Sequence, residues 1–183
     1  MLLLGRRLAG AAFVLFAALL PAGVLAGARE DAPLKPWKGG PAPRLELEAL
    51  DGRKFDLAAM RGRVVVVNFW ATWCEPCLAE MPSLERLREK MRGRPFEVLA
   101  VNYGESEERA GGYVARQKLT LPVLLDPEKR TAAAWKVGGL PMTFLVDARG
   151  QVRQWAFGER DWSAAPSVKV IEGLLGEAKR AGS

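Results

Sequence analysis

Phe69-Trp70-Ala71-Thr72-Trp73-Cys74-Glu75-Pro76-Cys77 holds the only two cysteines of the chain, with two residues between them. Ahead of it runs Val64-Val65-Val66-Val67-Asn68, apolar and β-branched, the pattern of a strand buried on both faces. Behind it, Leu78 to Met91 carries apolar residues at Met81, Leu84, Leu87 and Met91, and with Cys77 these mark one helical face. Pro82 falls inside this helix and is expected to kink it. The pair therefore stands where a strand hands over to a helix. A helix N-terminus offers unpaired N–H groups and the positive end of the helix dipole. Both favour a thiolate at the first cysteine, and the thiolate is the nucleophile. The second cysteine, one turn on, can attack a mixed disulfide formed by the first.

Three other uses of the pair are weaker. A staple across so short a loop removes little unfolded-state entropy. A zinc site needs four ligands, and the chain has no histidine and no further cysteine. Haem attachment needs histidine where Leu78 stands. The absence of histidine also removes the commonest general base and any Cys-His catalytic pair. No metal or other cofactor is implied. The net charge is +6, of which Arg6 and Arg7 supply two, so the rest carries 6 − 2 = +4 with acids interleaved. That is a solvated mixed surface, and no nucleic-acid partner is expected.

The chain has room for one ordinary domain, and 49% hydrophobic residues are enough for its core. Residues 1–28 join a short basic start to an uncharged apolar stretch, the form of a secretory signal. Ala26-Gly27-Ala28 is a small-x-small cleavage site; an uncleaved membrane anchor is the alternative. Either way the folded part is expected outside the cytoplasm, in the periplasm or on the outer face of the membrane. Membrane contact is expected only through this segment, if it is retained. Residues 29–43, with four prolines and Gly39-Gly40, read as an extended linker. Leu45 to Glu48 and Lys54 to Leu57 alternate apolar and charged about Asp51-Gly52, a β-hairpin ahead of the main domain.

Phe96 to Asn102 reads as a second buried strand, Glu107 to Lys118 as a helix and Leu121 to Leu125 as a short extended run. Asp126 and Pro127 mark the start of a helix reaching Val137. Met142 to Val146 and Gln151 to Phe157 form a hairpin about Asp147-Ala148-Arg149-Gly150. Val168, Ile171, Leu174, Leu175 and Ala178 give a last amphipathic helix. Strands alternating with helices early and a hairpin late describe an α/β sandwich with a mixed central sheet.

Three blocks now carry a specific resemblance: Asn68 to Cys77, Glu80-Met81-Pro82, and Gly139-Leu140-Pro141-Met142-Thr143-Phe144-Leu145-Val146-Asp147. In this order they resemble the exported thioredoxin-fold thiol-disulfide oxidoreductases of the TlpA/ResA/DsbE class. The likeness covers residues 44–183. It implies a thioredoxin-like α/β sandwich with an extra N-terminal β-hairpin. It implies Cys74 as the attacking thiol, Cys77 as the resolving one, and a redox-active disulfide between them. Pro141 matches the class's cis-proline, which would leave the Leu140 backbone free to pair with an extended substrate, and Trp73 would line the same groove.

Glu80 carries two readings: a surface glutamate favoured in a first helical turn, or a proton acceptor and donor for the cysteine pair. The resemblance favours the second. Cytoplasmic thioredoxins have a buried aspartate in the strand before the cysteines; here that residue is Asn68, which takes no proton. The class implies a reductant of protein disulfides, such as the haem-binding cysteines of apocytochrome c, recharged by a membrane thiol-disulfide electron donor. A thiol peroxidase of the same broad fold is one alternative, although Ala71 stands where that class places a threonine. A thioredoxin-fold binding module without turnover is the other.

Overall fold

The computed structural model describes residues 31–181; the leader read over residues 1–28 lies outside the described residues. The central sheet has six strands: β1 (Lys35–Pro36), β4 (Val64–Trp70), β5 (Phe96–Tyr103), β6 (Val123–Asp126), β7 (Met142–Val146) and β8 (Val152–Phe157). Their spatial order is β1-β8-β7-β4-β5-β6, with β4, β5 and β6 parallel and the remaining pairs antiparallel. The expected hairpin is a separate two-stranded sheet of β2 (Glu46–Glu48) and β3 (Lys54–Asp56). Gly52 takes φ +79° in its turn, a conformation that glycine adopts without strain.

All seven residues of β4 are buried, as a strand covered on both faces requires. Alternation sends Val64, Val66 and Trp70 to one core, with Met81, Leu84 and Leu87 of α1 (Glu75–Lys90) and Ile171 and Leu175 of α4 (Ala165–Ala181). Val65, Val67 and Phe69 face the second core, with Leu99, Phe144, Trp135 and Leu45 of the hairpin segment. Asn68 falls on the α1 side by the same alternation, and this turns a polar group toward the helix that follows the cysteines.

The structure alters three expectations. Helix α1 begins at Glu75 rather than Leu78, because Cys74 caps it and Pro76 suits the first turn, and Pro82 lies inside it as expected. The third helix, α3, spans only Arg130–Ala134. Asp126 ends β6 and reaches forward, accepting from the Thr131 and Ala132 N–H groups at 3.2 and 2.8 Å. Lys129 turns the chain at φ 59° in between, so Pro127 does not start the helix. The stretch read as a linker is also fastened where it is described. Lys35 and Pro36 lie opposite Trp155 and Gln154 on the sheet edge, and Trp37 meets Phe144 edge to face at 5.5 Å. Between Glu107–Gln117, helix α2 forms as read. Among the described residues, no helix is long and apolar enough to cross a membrane.

Candidate active site

Cys74 is the N-cap of α1, in extended backbone conformation, and its Sγ accepts from the Cys77 N–H at 3.3 Å. The sulfur thus sits on the unpaired donors of the helix terminus, where negative charge is favoured. Cys74 and Cys77 are joined in a disulfide. Cys74 is 6% exposed and Cys77 0%, so only the first sulfur's residue reaches the surface. Glu75 and Pro76 between them are exposed.

Glu80 follows Cys77 by three residues on the same helix face and is 2% exposed, which removes the surface reading. Its Oε1 accepts from Asn68 Nδ2 at 2.7 Å. Its Oε2 accepts from the Arg160 backbone N–H and from Trp162 Nε1, each at 3.2 Å. Asn68 Nδ2 donates as well to Thr143 Oγ1 at 2.9 Å, which ties β4 to β7 behind the cysteines. Burial is the largest influence on the carboxyl and pushes its pKa up from 4.5 to about 8; the three donors pull down, and the charge of Glu159 adds to the rise. Desolvation therefore outweighs hydrogen bonding, and the Glu80 carboxyl keeps its proton to a higher pH than an exposed glutamate does.

Pro141 is buried, and the Leu140–Pro141 peptide bond is cis. Met142 pairs with Phe69, so Pro141 lies just beyond the end of β4 that leads into the cysteine turn. The Pro141 carbonyl accepts from the Gly158 N–H at 2.9 Å. Leu140 is half-buried, and Trp73 is 60% exposed beside Cys74. Trp73, Leu140 and Pro141 are thus gathered at the sheet end that carries the cysteines. Among the described residues, no group of three or more His, Cys, Asp or Glu side chains is placed to hold a metal ion.

The chain matches the AhpC/TSA family over residues 39–155. It is 40% identical over 116 residues to the thiol-disulfide oxidoreductase ResA of Geobacillus thermodenitrificans, across 63% of this chain and 67% of that protein. It is 35% identical to ResA of Bacillus subtilis over 141 residues, across 77% of this chain and 70% of that protein. The chain belongs to the AhpC/TSA family, among its ResA-like thiol-disulfide oxidoreductases. A solved thiol:disulfide interchange protein of the thioredoxin family from Chlorobium tepidum superposes with a TM-score of 0.64 at 28% identity, covering 78% of this chain and 98% of that one. The fold is therefore the thioredoxin-like α/β sandwich.

The oxidoreductase also holds groups at this end that the sequence reading passed over. Glu105, just past β5, is buried and accepts from the Thr72 N–H at 2.7 Å, from the Thr72 hydroxyl and from Asn102 Nδ2 at 2.8 Å. Arg109 pairs with it at 3.1 Å from α2. Burial pushes the Glu105 carboxyl up, but these partners together hold it below its ordinary value. Glu105 thus clamps the turn two residues before Cys74. Phe157, 54% exposed, lies over Gly139, where an added Cβ would come within 2.6 Å of its ring. A carboxylate and a threonine hydroxyl at the C-terminal ends of neighbouring parallel strands were a usable signal, since α/β sites form at that edge. Arg160 and Trp162 carry no periodic signal, and only the return of the chain after β8 brings them to Glu80.

Proposed function

We propose that this oxidoreductase is exported and reduces disulfides in specific proteins, with Cys74 as the attacking thiol, Cys77 as the resolving thiol and Glu80 as the proton-handling group. Residues 1–28 act as the exporting leader or anchor, and residues 44–183 form the working domain. The observation that carries the reading is the Cys74 sulfur capping α1, with Cys77 shielded one turn behind it. In the dithiol form the Cys74 thiolate attacks one sulfur of the substrate disulfide. A Cys74–substrate bond forms, the substrate S–S bond breaks, and the departing substrate sulfur takes the electron pair and then a proton. Glu80, as carboxylate, accepts the Cys77 proton. The Cys77 thiolate then attacks Cys74 Sγ, forming the Cys74–Cys77 disulfide and releasing the second substrate sulfur as thiolate, to which Glu80 returns the proton. Two electrons have passed to the substrate, and a membrane dithiol donor must restore them.

Trp73, Leu140 and Pro141 are the groove for an extended substrate segment. The cysteines of an apocytochrome c haem site, during cytochrome c maturation, are the substrate class that the resemblance to the TlpA/ResA/DsbE class implies. A helix N-terminus that favours thiolate makes a disulfide more oxidising, whereas nearby carboxylates raise thiol pKa and oppose this. A redox titration of the cysteine pair, with Glu80→Gln alongside, tests the direction. A potential near about −120 mV, that of a strong oxidant, contradicts the reductant reading. The Cys77→Ser protein should hold its natural substrate as a mixed disulfide through Cys74, to be identified by mass spectrometry.

A further inference from the structure

Two of the three donors on Glu80 come from one short loop, Glu159 to Trp162, and something must hold that loop in place. The loop follows β8 and precedes α4, and it contributes no strand pairing of its own. Its fixed point is Arg160, a buried arginine. The guanidinium donates from Nε to Ser167 Oγ at 2.9 Å and from Nη1 to the Ala32 carbonyl at 2.6 Å, and it stacks on Trp162 at 5.7 Å. Ser167 in turn donates to the Asp161 carbonyl at 2.8 Å. The Ala32 end is itself bonded to the loop. Ala32 N–H donates to the Glu159 carbonyl at 2.9 Å, and Asp31 accepts from the Asp161 N–H at 2.9 Å. Three hydrogen bonds thus tie residues 31–32, the first described residues of the chain, to the loop that holds Glu80.

We propose that Arg160 is a positioning residue, which ties the Glu159–Trp162 loop to the start of α4 and to an Asp31–Ala32 strap and so keeps that loop's two N–H donors on Glu80. This rests on the reading of Glu80 as the proton group of the cysteine pair. A buried guanidinium with neutral partners is retained against a large desolvation cost, and the bonds it makes with Ser167 and Ala32 have to offset that cost. The groups facing Glu80 are Asn68 of β4, and Glu159, the Arg160 N–H and Trp162 of the loop, and Cys77 lies three residues before it on its own helix. Glu159 and the Arg160 guanidinium, stacked on Trp162, are charged groups of this loop. Losing the guanidinium charge alone would raise the Glu80 titration midpoint, the opposite of the fall that a loosened loop produces. Loosening the loop admits water to the carboxyl, and because burial is the largest influence there, the proton should become easier to lose. Removing one donor while the loop stays in place should have the opposite effect.

The test follows the Glu80 carboxyl ¹³C signal against pH in the oxidised full-length protein, the signal being identified by its loss in Glu80→Gln. Arg160→Met should lower the titration midpoint by about one pH unit or more. A strap variant carrying Asp31→Ala and Ala32→Pro, which removes one acceptor and one donor, should lower it by a smaller amount. Trp162→Phe should raise it. An unmoved midpoint in Arg160→Met overturns the proposal, and a midpoint moved by Arg160→Met but not by the strap variant overturns the strap's part. If Arg160→Met does not fold, the strap variant decides by the same criterion. Thiol-disulfide exchange by the reduced wild-type protein is measured in parallel. Its absence defeats the functional reading, whereas exchange with unmoved midpoints defeats only the role of Arg160.

Discussion

Replacing Glu80 by glutamine should remove a specific slope from the stability of the oxidised protein. The folded state holds the Glu80 proton up to about pH 8, whereas the unfolded chain releases it near 4.5. The folded state therefore binds more protons throughout that interval, and its stability must fall as pH rises across it. The stabilising contribution is complete below about pH 4.5 and gone above about pH 8. At about 1.36 kcal/mol per pH unit, the difference across the interval is of the order of 5 kcal/mol. The window is unusually clean. The chain has no histidine, and the disulfide removes both thiols from titration. Among the described residues, the shifted carboxyls other than Glu80, namely Asp51, Glu105 and Asp161, all move down, and Tyr113 moves up, so these lie outside it. Urea unfolding at pH 5, 6.5 and 8.5 under non-reducing conditions measures the effect. The wild type should lose several kcal/mol relative to Glu80→Gln between the first and last conditions. Parallel curves for the two proteins would refute the assignment of Glu80 as a buried proton holder.

Two further outcomes follow from the same end of the sheet. Thr72→Val removes the hydroxyl donor to Glu105, and urea unfolding at pH 7 should show a loss of about 1–2 kcal/mol. Because the folded pKa of Glu105 is depressed, that loss should shrink as pH falls below about 4.5, and a loss independent of pH would contradict the clamp. Gly139→Ala places a Cβ against the Phe157 ring and should cost about 1–3 kcal/mol, relieved in the Gly139→Ala/Phe157→Ala double variant. Additive losses in that cycle would mean that the two residues do not meet.

The elements that positioned the cysteines were legible because each follows from a short-range rule. A run of β-branched residues gave β4, the 3.6-residue spacing of Met81, Leu84 and Leu87 gave α1, and Asp51-Gly52 gave the hairpin turn. What escaped was non-local or depended on side-chain reach. Asp126 looks like an N-cap beside Pro127, but its carboxylate spans five and six residues to α3, a distance that propensity does not measure. Residues 29–43 have the composition of a linker, and yet Lys35 and Pro36 complete the sheet edge against β8 from 118 or more residues away. Glu80 is the clearest case. Its spacing from Cys77 and Leu84 left it at the border of the buried face, and its burial is completed by Trp162, 82 residues on.

Two glutamates bracket the cysteine turn, and their environments push them apart. Glu105 touches Thr72 ahead of Cys74 and keeps Arg109 beside it, so burial is outweighed and the carboxylate stays charged. Glu80 lies behind Cys77 with no cation among its hydrogen-bond partners, so burial wins and the proton is held. Swapping the outcomes would serve exchange poorly. A Glu80 of ordinary pKa would be too weak a base to take the Cys77 proton and would leave its charge beside the Cys77 thiolate, and a neutral Glu105 would loosen the turn that presents Cys74. Environments that push the pKa values of two carboxyls apart fit them for different roles. The pH at which exchange through Cys77 is fastest should therefore follow Glu80, not Glu105, and should move with Trp162→Phe while staying fixed in Thr72→Val.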